Sequence, residues 1–83
     1  MYTSIFPNPT KGSFSIVIHN NLYESISITI YSRSGQIVFS NDFKADKWFE
    51  EQIDLSGYVN GVYIVILNSG NTILYNGEII IEE

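Results

Sequence analysis

The sequence predicts an all-β protein, an immunoglobulin-like antiparallel β-sandwich of about seven strands forming a single domain over residues 1–83. Three observations predict it. Fourteen Ile and five Val stand against one alanine, Ala45, a β-branched composition that suits a pleated, half-buried surface and disfavours helix. Apolar and polar residues alternate with a period of two through several short runs. Turn residues separate those runs at intervals of roughly ten residues, the spacing of a sandwich.

The elements follow in order. Ser4–Phe6 is a short extended entry. In Pro7-Asn8-Pro9-Thr10-Lys11-Gly12 two prolines fix φ and keep the preceding residues extended, which makes a rigid corner. Phe14, Ile16 and Ile18 alternate with Ser13, Ser15 and Val17 in the next strand, which Asn20-Asn21 ends. Ile26, Ile28 and Ile30 alternate with Ser25, Ser27 and Thr29, and Ser32-Arg33-Ser34-Gly35 then turns the chain, with Gly35 placed for positive φ. The returning strand, about Gln36 to Phe43, puts Ile37, Phe39 and Phe43 on one face.

A polar loop, Lys44–Lys47, leads to a strand near Trp48 to Leu55, and Ser56–Gly61 makes a tight crossing. Val62 to Leu67 is apolar on both faces, as expected of a central strand covered on each side. Asn68–Asn71 turns again, and Thr72 to Ile81 is the last strand, with Gly77 expected as a bulge. Tyr63 opens its strand just after a Gly-bearing crossover. There a sandwich places either a tyrosine whose hydroxyl bonds back to the corner, here near Leu55–Tyr58, or a plain core tyrosine. Val65 occupies the position of the antibody-type cysteine, so no such disulfide is expected.

Charge and composition exclude several functions. Net charge is −5, with only Lys11, Arg33, Lys44 and Lys47 opposing nine carboxylates, so no basic stripe exists to neutralise phosphates and nucleic acid is not an expected partner. The absence of cysteine removes disulfides, thiolate zinc sites and cysteine nucleophiles together. The longest apolar runs are strand-length and too short to span a membrane as a helix. Met1–Lys11 lacks the regions of a signal peptide, so any export address is expected elsewhere.

Candidate chemistry is sparse, and neither a catalytic residue, a metal site nor a cofactor is expected. His19 is the only histidine and is expected as an exposed strand-end residue, because a metal or general-base role would need partners the sequence does not supply. Glu50 and Glu51 are strand neighbours that point to opposite faces and cannot flank one glycosidic bond. Asp42, Asp46, Glu50, Glu51 and Asp54 lack the spacing of a calcium loop and read as a solvated acidic face. No Gly-x-Ser-x-Gly elbow appears. Tyr23, Tyr31, Trp48 and Tyr58 sit at strand ends or out of phase, where aromatics either cap a small core or stack on a sugar or protein partner. Glu78-Ile79-Ile80-Ile81-Glu82-Glu83 is apolar on successive residues, and if it lies at a sheet edge it is either an aggregation hazard or a docking surface.

The punctuation as a whole has a known counterpart. Phe6-Pro7-Asn8-Pro9-Thr10-x-Gly12, Ile28-x-Ile30-Tyr31-x-x-x-Gly35-x-x-Val38, Ile53-Asp54-Leu55-Ser56 and Gly61-Val62-Tyr63-Ile64-Val65 occur in that order. Together they resemble a type IX secretion (Por secretion system) C-terminal sorting domain, type A, over nearly the whole chain. By that resemblance Pro7, Asn8, Pro9 and Gly12 belong to the entry corner, Gly35 to the hairpin, Asp54, Leu55 and Ser56 to the crossover, and Gly61 and Tyr63 to the central strand. Glu78 stands where the family usually has a basic residue before the final apolar run Ile79, Ile80 and Ile81, and Phe6 where it commonly has Tyr. Each turn residue also has a purely structural reading.

The resemblance implies a module at the end of a secreted protein of Bacteroidota, and the stop directly after the last strand fits it. Its implied partners are the covalently attached N-terminal passenger, the type IX translocon, outer-membrane shuttle proteins, and a sortase-like peptidase. The peptidase would cut at or upstream of Met1. The implied route runs through the periplasm to the outer membrane and cell surface, or to secretion. The competing expectation is a carbohydrate- or protein-binding accessory sandwich using Tyr31, Trp48 and Tyr58 as a stacking platform.

Overall fold

The alternating isoleucines decide where the two layers meet. A computed structural model describes all of Met1–Glu83 as seven strands: β1 (Tyr2–Phe6), β2 (Ser13–His19), β3 (Ser25–Tyr31), β4 (Ile37–Lys44), β5 (Phe49–Asp54), β6 (Gly61–Ser69) and β7 (Thr72–Ile81). They form two antiparallel sheets, ordered β1-β2-β5 and β4-β3-β6-β7. In a constant-type immunoglobulin sandwich the fourth strand pairs with the fifth. Here it pairs with the third, so it leaves the sheet of β1, β2 and β5 with three strands and makes the other a sheet of four.

Each strand sends its alternate residues into one shared core. Phe14, Ile16 and Ile18 of β2, with Phe49 and Ile53 of β5, meet Ile26, Ile28 and Ile30 of β3. Tyr63, Val65 and Leu67 of β6, Ile79 and Ile81 of β7, and Leu55 of the crossover complete the core. Phe43 and Phe49 meet edge to face at 5.9 Å, tying β4 to the opposite sheet. Losing a ring such as Phe14, only 1% exposed, would cost about 3–5 kcal/mol.

Several expectations change for identifiable reasons. The first strand starts at Tyr2, not Ser4, because its backbone pairs with β2 from Tyr2 opposite His19 to Phe6 opposite Ser15. Ile37 leaves the inward face. A bulge sets Ile30 opposite Phe39 and Tyr31 opposite Ile37, so the extra residue, Val38, shifts the phase. Val38, Phe39 and Phe43 pack on the core while Ile37 stays exposed. The central strand β6 is not covered on both sides either, since Tyr63, Val65 and Leu67 are buried but Val62, Ile64 and Ile66 are half-buried. Gly77 is no bulge: it pairs regularly with Val65, and the extra residue of β7 is Leu74, between Tyr75 opposite Leu67 and Ile73 opposite Asn68. Gly77 instead makes room for the ring of Tyr75, with which any Cβ there would collide.

Candidate recognition surface

The Pro7–Gly12 corner spans the open side between the two sheets. Thr10, 3% exposed, is its hub. Its N–H donates to the Ile80 carbonyl at 2.8 Å, and its carbonyl accepts from the Glu82 N–H at 2.8 Å, a parallel bridge to the end of β7. Its hydroxyl donates to the Ser13 carbonyl at 2.5 Å and accepts from the Gly12 N–H at 3.1 Å, which anchors the same residue to β2 in the other sheet. Every polar group of Thr10 is thereby satisfied, as burial requires.

Asn8 extends the bridge with its side chain. Its amide nitrogen donates to the Glu78 carbonyl and its amide oxygen accepts from the Ile80 N–H, both at 3.0 Å. A primary amide reproduces the donor and acceptor of a peptide group. Asn8 and Thr10 thus stand in for a neighbouring strand along the edge of β7 from Glu78 to Glu82. Pro7, Asn8 and Pro9 remain exposed on top of this contact, and both X-Pro bonds of the corner are cis.

Gly12 joins the corner to the crossover. Its φ is +131°, and a Cβ on it would lie 2.6 Å from the Cα of Ser56. Only glycine allows this backbone shape and this approach together. The Gly12 carbonyl accepts the Leu55 N–H at 2.8 Å, which fixes buried Leu55 beneath it. Asp54 ends β5 and holds the turn, its carboxylate accepting the Ser56 N–H at 2.9 Å. The Ser56 hydroxyl first, and its N–H second, hold the Asp54 carboxyl below its ordinary value of 3.8, against a smaller opposing effect of desolvation.

Tyr63 takes the corner role, but its hydroxyl reaches Val59, at 2.7 Å from that carbonyl, rather than Leu55–Tyr58. The crossover is long enough for the residue four positions back to meet the ring's tip. Tyr58 crosses Tyr63 edge to face at 6.4 Å and donates its hydroxyl to the Val38 carbonyl at 3.2 Å. Gly35, at φ +89°, closes the β3–β4 hairpin through its N–H to the Ser32 carbonyl at 2.9 Å.

Register places these motifs at one end of the molecule. Tyr31 pairs with Ile64 and Gly61 with Ile81, so the hairpin, the start of β6 and the end of β7 are neighbours. The corner and crossover join them through Thr10 and Gly12. Ile79 and Ile81 point into the core, Ile80 is half-buried, and Glu78 is exposed. The terminal run therefore lies on an edge strand, yet its side chains are largely internal and its outward backbone is capped.

A family model described as the secretion system C-terminal sorting domain matches residues 4–82. The chain belongs to this family. It is the type IX secretion C-terminal sorting domain, a C-terminal tag on a passenger that works with the type IX machinery. No curated protein matches the chain. The sorting domain directs export to the outer membrane, the cell surface or beyond, and as a sorting signal it is not catalytic. No helix here is long and apolar enough to cross a membrane.

The stacking platform of the competing expectation is not brought together in this sorting domain. Tyr31 is half-buried on the outer face of β3, Tyr58 covers the motif end, and Trp48 lies at the opposite end. His19 is half-buried rather than an exposed strand end, because Tyr2 stacks on it at 4.2 Å and Trp48 meets it edge-on at 4.8 Å. Glu50 accepts from the Trp48 indole N–H at 3.3 Å. Glu50 and Glu51 do diverge: exposed Glu50 pairs with Val17, which is buried but lies on the face away from the core, and half-buried Glu51 pairs with inward Ile16.

Two structural residues carried more than their sequence context suggested. Thr10 was visible only as part of the turn. Asn21, 5% exposed, ends β2 as expected but also donates its amide to the Tyr23 and Asp46 carbonyls at 2.6 and 2.9 Å. Its backbone N–H reaches the Lys47 carbonyl at 2.7 Å. Asn21 therefore ties two loops together at the end opposite Thr10. An asparagine in a turn, between Asn20 and Leu22, gives no sequence signal for such burial.

Proposed function

We propose that the type IX machinery reads this sorting domain as a folded object, through the surface that the corner and β7 build jointly. The outer-membrane translocon and its shuttle proteins are the readers. The passenger reaches them by way of the periplasm, and a sortase-like peptidase then cuts in the chain before β1. Pro7, Asn8, Pro9 and Glu78 supply exposed parts of the surface. Gly12, Gly35, Asp54, Leu55, Ser56, Gly61 and Tyr63 shape it, with Ile79, Ile80 and Ile81 beneath. The observation that supports this reading is the pairing of Asn8 and Thr10 with Glu78–Glu82, because residues so far apart in sequence form one surface only after folding.

The test uses a periplasmic reporter fused to residues 1–83 in a type IX-competent host. The expected result is surface display with the intact domain and none without it. Ile28→Asp buries an unpaired carboxylate at a fully buried position and unfolds the sandwich while leaving Pro7–Gly12 and Glu78–Glu83 unaltered. It is expected to block export as fully as deletion. Export of the Ile28→Asp fusion would show that a linear signal suffices, and would overturn the reading.

A further inference from the structure

Four strands, β1, β4, β5 and β7, end the sheets, and each turns backbone donors and acceptors outward. β4 carries Asp42 and Lys44, and β5 carries Glu50, Glu51 and Asp54, charges that deter another strand. β7 is divided. From Glu78 onward its outward groups are taken by Asn8 and Thr10. From Thr72 to Gly77 it has no charged residue, it leaves Ile73 65% exposed, and nothing covers its backbone. Glu78 and Ile80 direct their peptide groups away from β6, so the alternation of an antiparallel strand directs those of Asn76 outward too.

We propose that Thr72–Gly77 accepts an added β-strand from a partner protein, with Asn8 marking where the added strand must stop. This rests on the sorting function proposed above and identifies how the partner binds. The occupant is an extended segment, uncharged over about five residues and followed by Lys or Arg where it meets the acidic border of Glu78, Glu82 and Glu83. A second copy of this chain fits poorly, because each copy carries a net charge of −5 and its own β7 has no Lys or Arg to meet the acidic border.

Asn76→Pro tests the inference. It removes an N–H that serves no bond within the sheet, and an edge strand tolerates proline where its N–H faces solvent. In the reporter fusion, a folded Asn76→Pro domain is expected to lower surface display about ten-fold, with Asn76→Ala and the β1 control Tyr2→Lys exporting like the parent. Parental export by folded Asn76→Pro overturns the proposal. If Asn76→Pro fails to fold, Ile73→Lys takes its place, with the same loss supporting and the same retention overturning it. Loss in Tyr2→Lys alone would move the contact to β1 and overturn it. So would a doubled sedimentation mass of the isolated domain that Asn76→Pro abolishes. Export of the reporter without residues 1–83 would instead strike the sorting function itself.

Discussion

Asn8 and Ile80, 72 residues apart, are joined by a 3.0 Å hydrogen bond in which the Ile80 N–H donates to the Asn8 side-chain oxygen. The same amide donates to the Glu78 carbonyl. A short polar side chain thereby closes part of an edge that would otherwise invite aggregation. The first strand is led directly into this contact by Pro7, and Thr10 continues it with main-chain bonds to both sides of Ile81. The residues that protect this edge are the ones proposed above to form the recognition surface.

Replacing Asn8 separates these two bonds. Asn8→Ala removes both and is expected to destabilise the domain by about 1 kcal/mol, the net value of partly solvated hydrogen bonds. Amide exchange at Ile80 should accelerate in step. Asn8→Asp keeps an acceptor for Ile80 but sets a carboxylate against the Glu78 carbonyl. It should leave Ile80 protected while still lowering the urea midpoint. Equal exchange at Ile80 in all three proteins would show that the side chain does not cap the edge.

Two glycines with positive φ should respond very differently to alanine. At Gly35 the added methyl meets nothing within 4 Å, so only the backbone preference is lost, about 1–2 kcal/mol. At Gly12 the same preference is lost and the methyl also runs into the Ser56 backbone, for a cost of about 3 kcal/mol or more. Urea unfolding of the two variants measures the difference. Gly12→Ala should also loosen the Leu55 N–H, which bonds to the Gly12 carbonyl. Equal costs at the two positions would mean that the corner and crossover are not in contact.

The strands were legible because period-two alternation is a direct projection of a half-buried sheet onto sequence. Ile26, Ile28 and Ile30 announced β3 and its inward face without ambiguity. Phase errors came where one extra residue shifts the pairing: Val38 turned Ile37 outward, and Leu74 took the bulge expected at Gly77. A bulge leaves composition unchanged, so alternation cannot locate it. The motif residues were visible, but not their meeting. That depends on which strands form the edges: the Ser32–Gly35 turn predicted the β3–β4 hairpin, but the long-range pairings of β2 with β5 and β3 with β6 have no local signal. The separation of Trp48 from Tyr31 and Tyr58 was hidden for the same reason, since Trp48 joins Tyr2 and His19 through pairing of β1, β2 and β5.

Asp54 gives the crossover an acid limit. The Ser56 hydroxyl and N–H hold its carboxyl below 3.8, the value expected in the unfolded chain. A group whose pKa is lower in the folded state stabilises the fold at pH above its unfolded value. That contribution fades as pH falls through 3.8 toward the folded value, because the unfolded chain takes up the proton first. Asp54→Asn removes the titration while keeping a side-chain oxygen for the Ser56 N–H. Thermal melts from about pH 6 to about pH 2 should show the parent more stable than Asp54→Asn at the upper end, with the gap closing only below about pH 4. The other carboxylates are common to both proteins, so the difference isolates Asp54. A gap that stayed constant across that range would mean that the carboxylate, as a charge, does not hold the turn beneath Gly12.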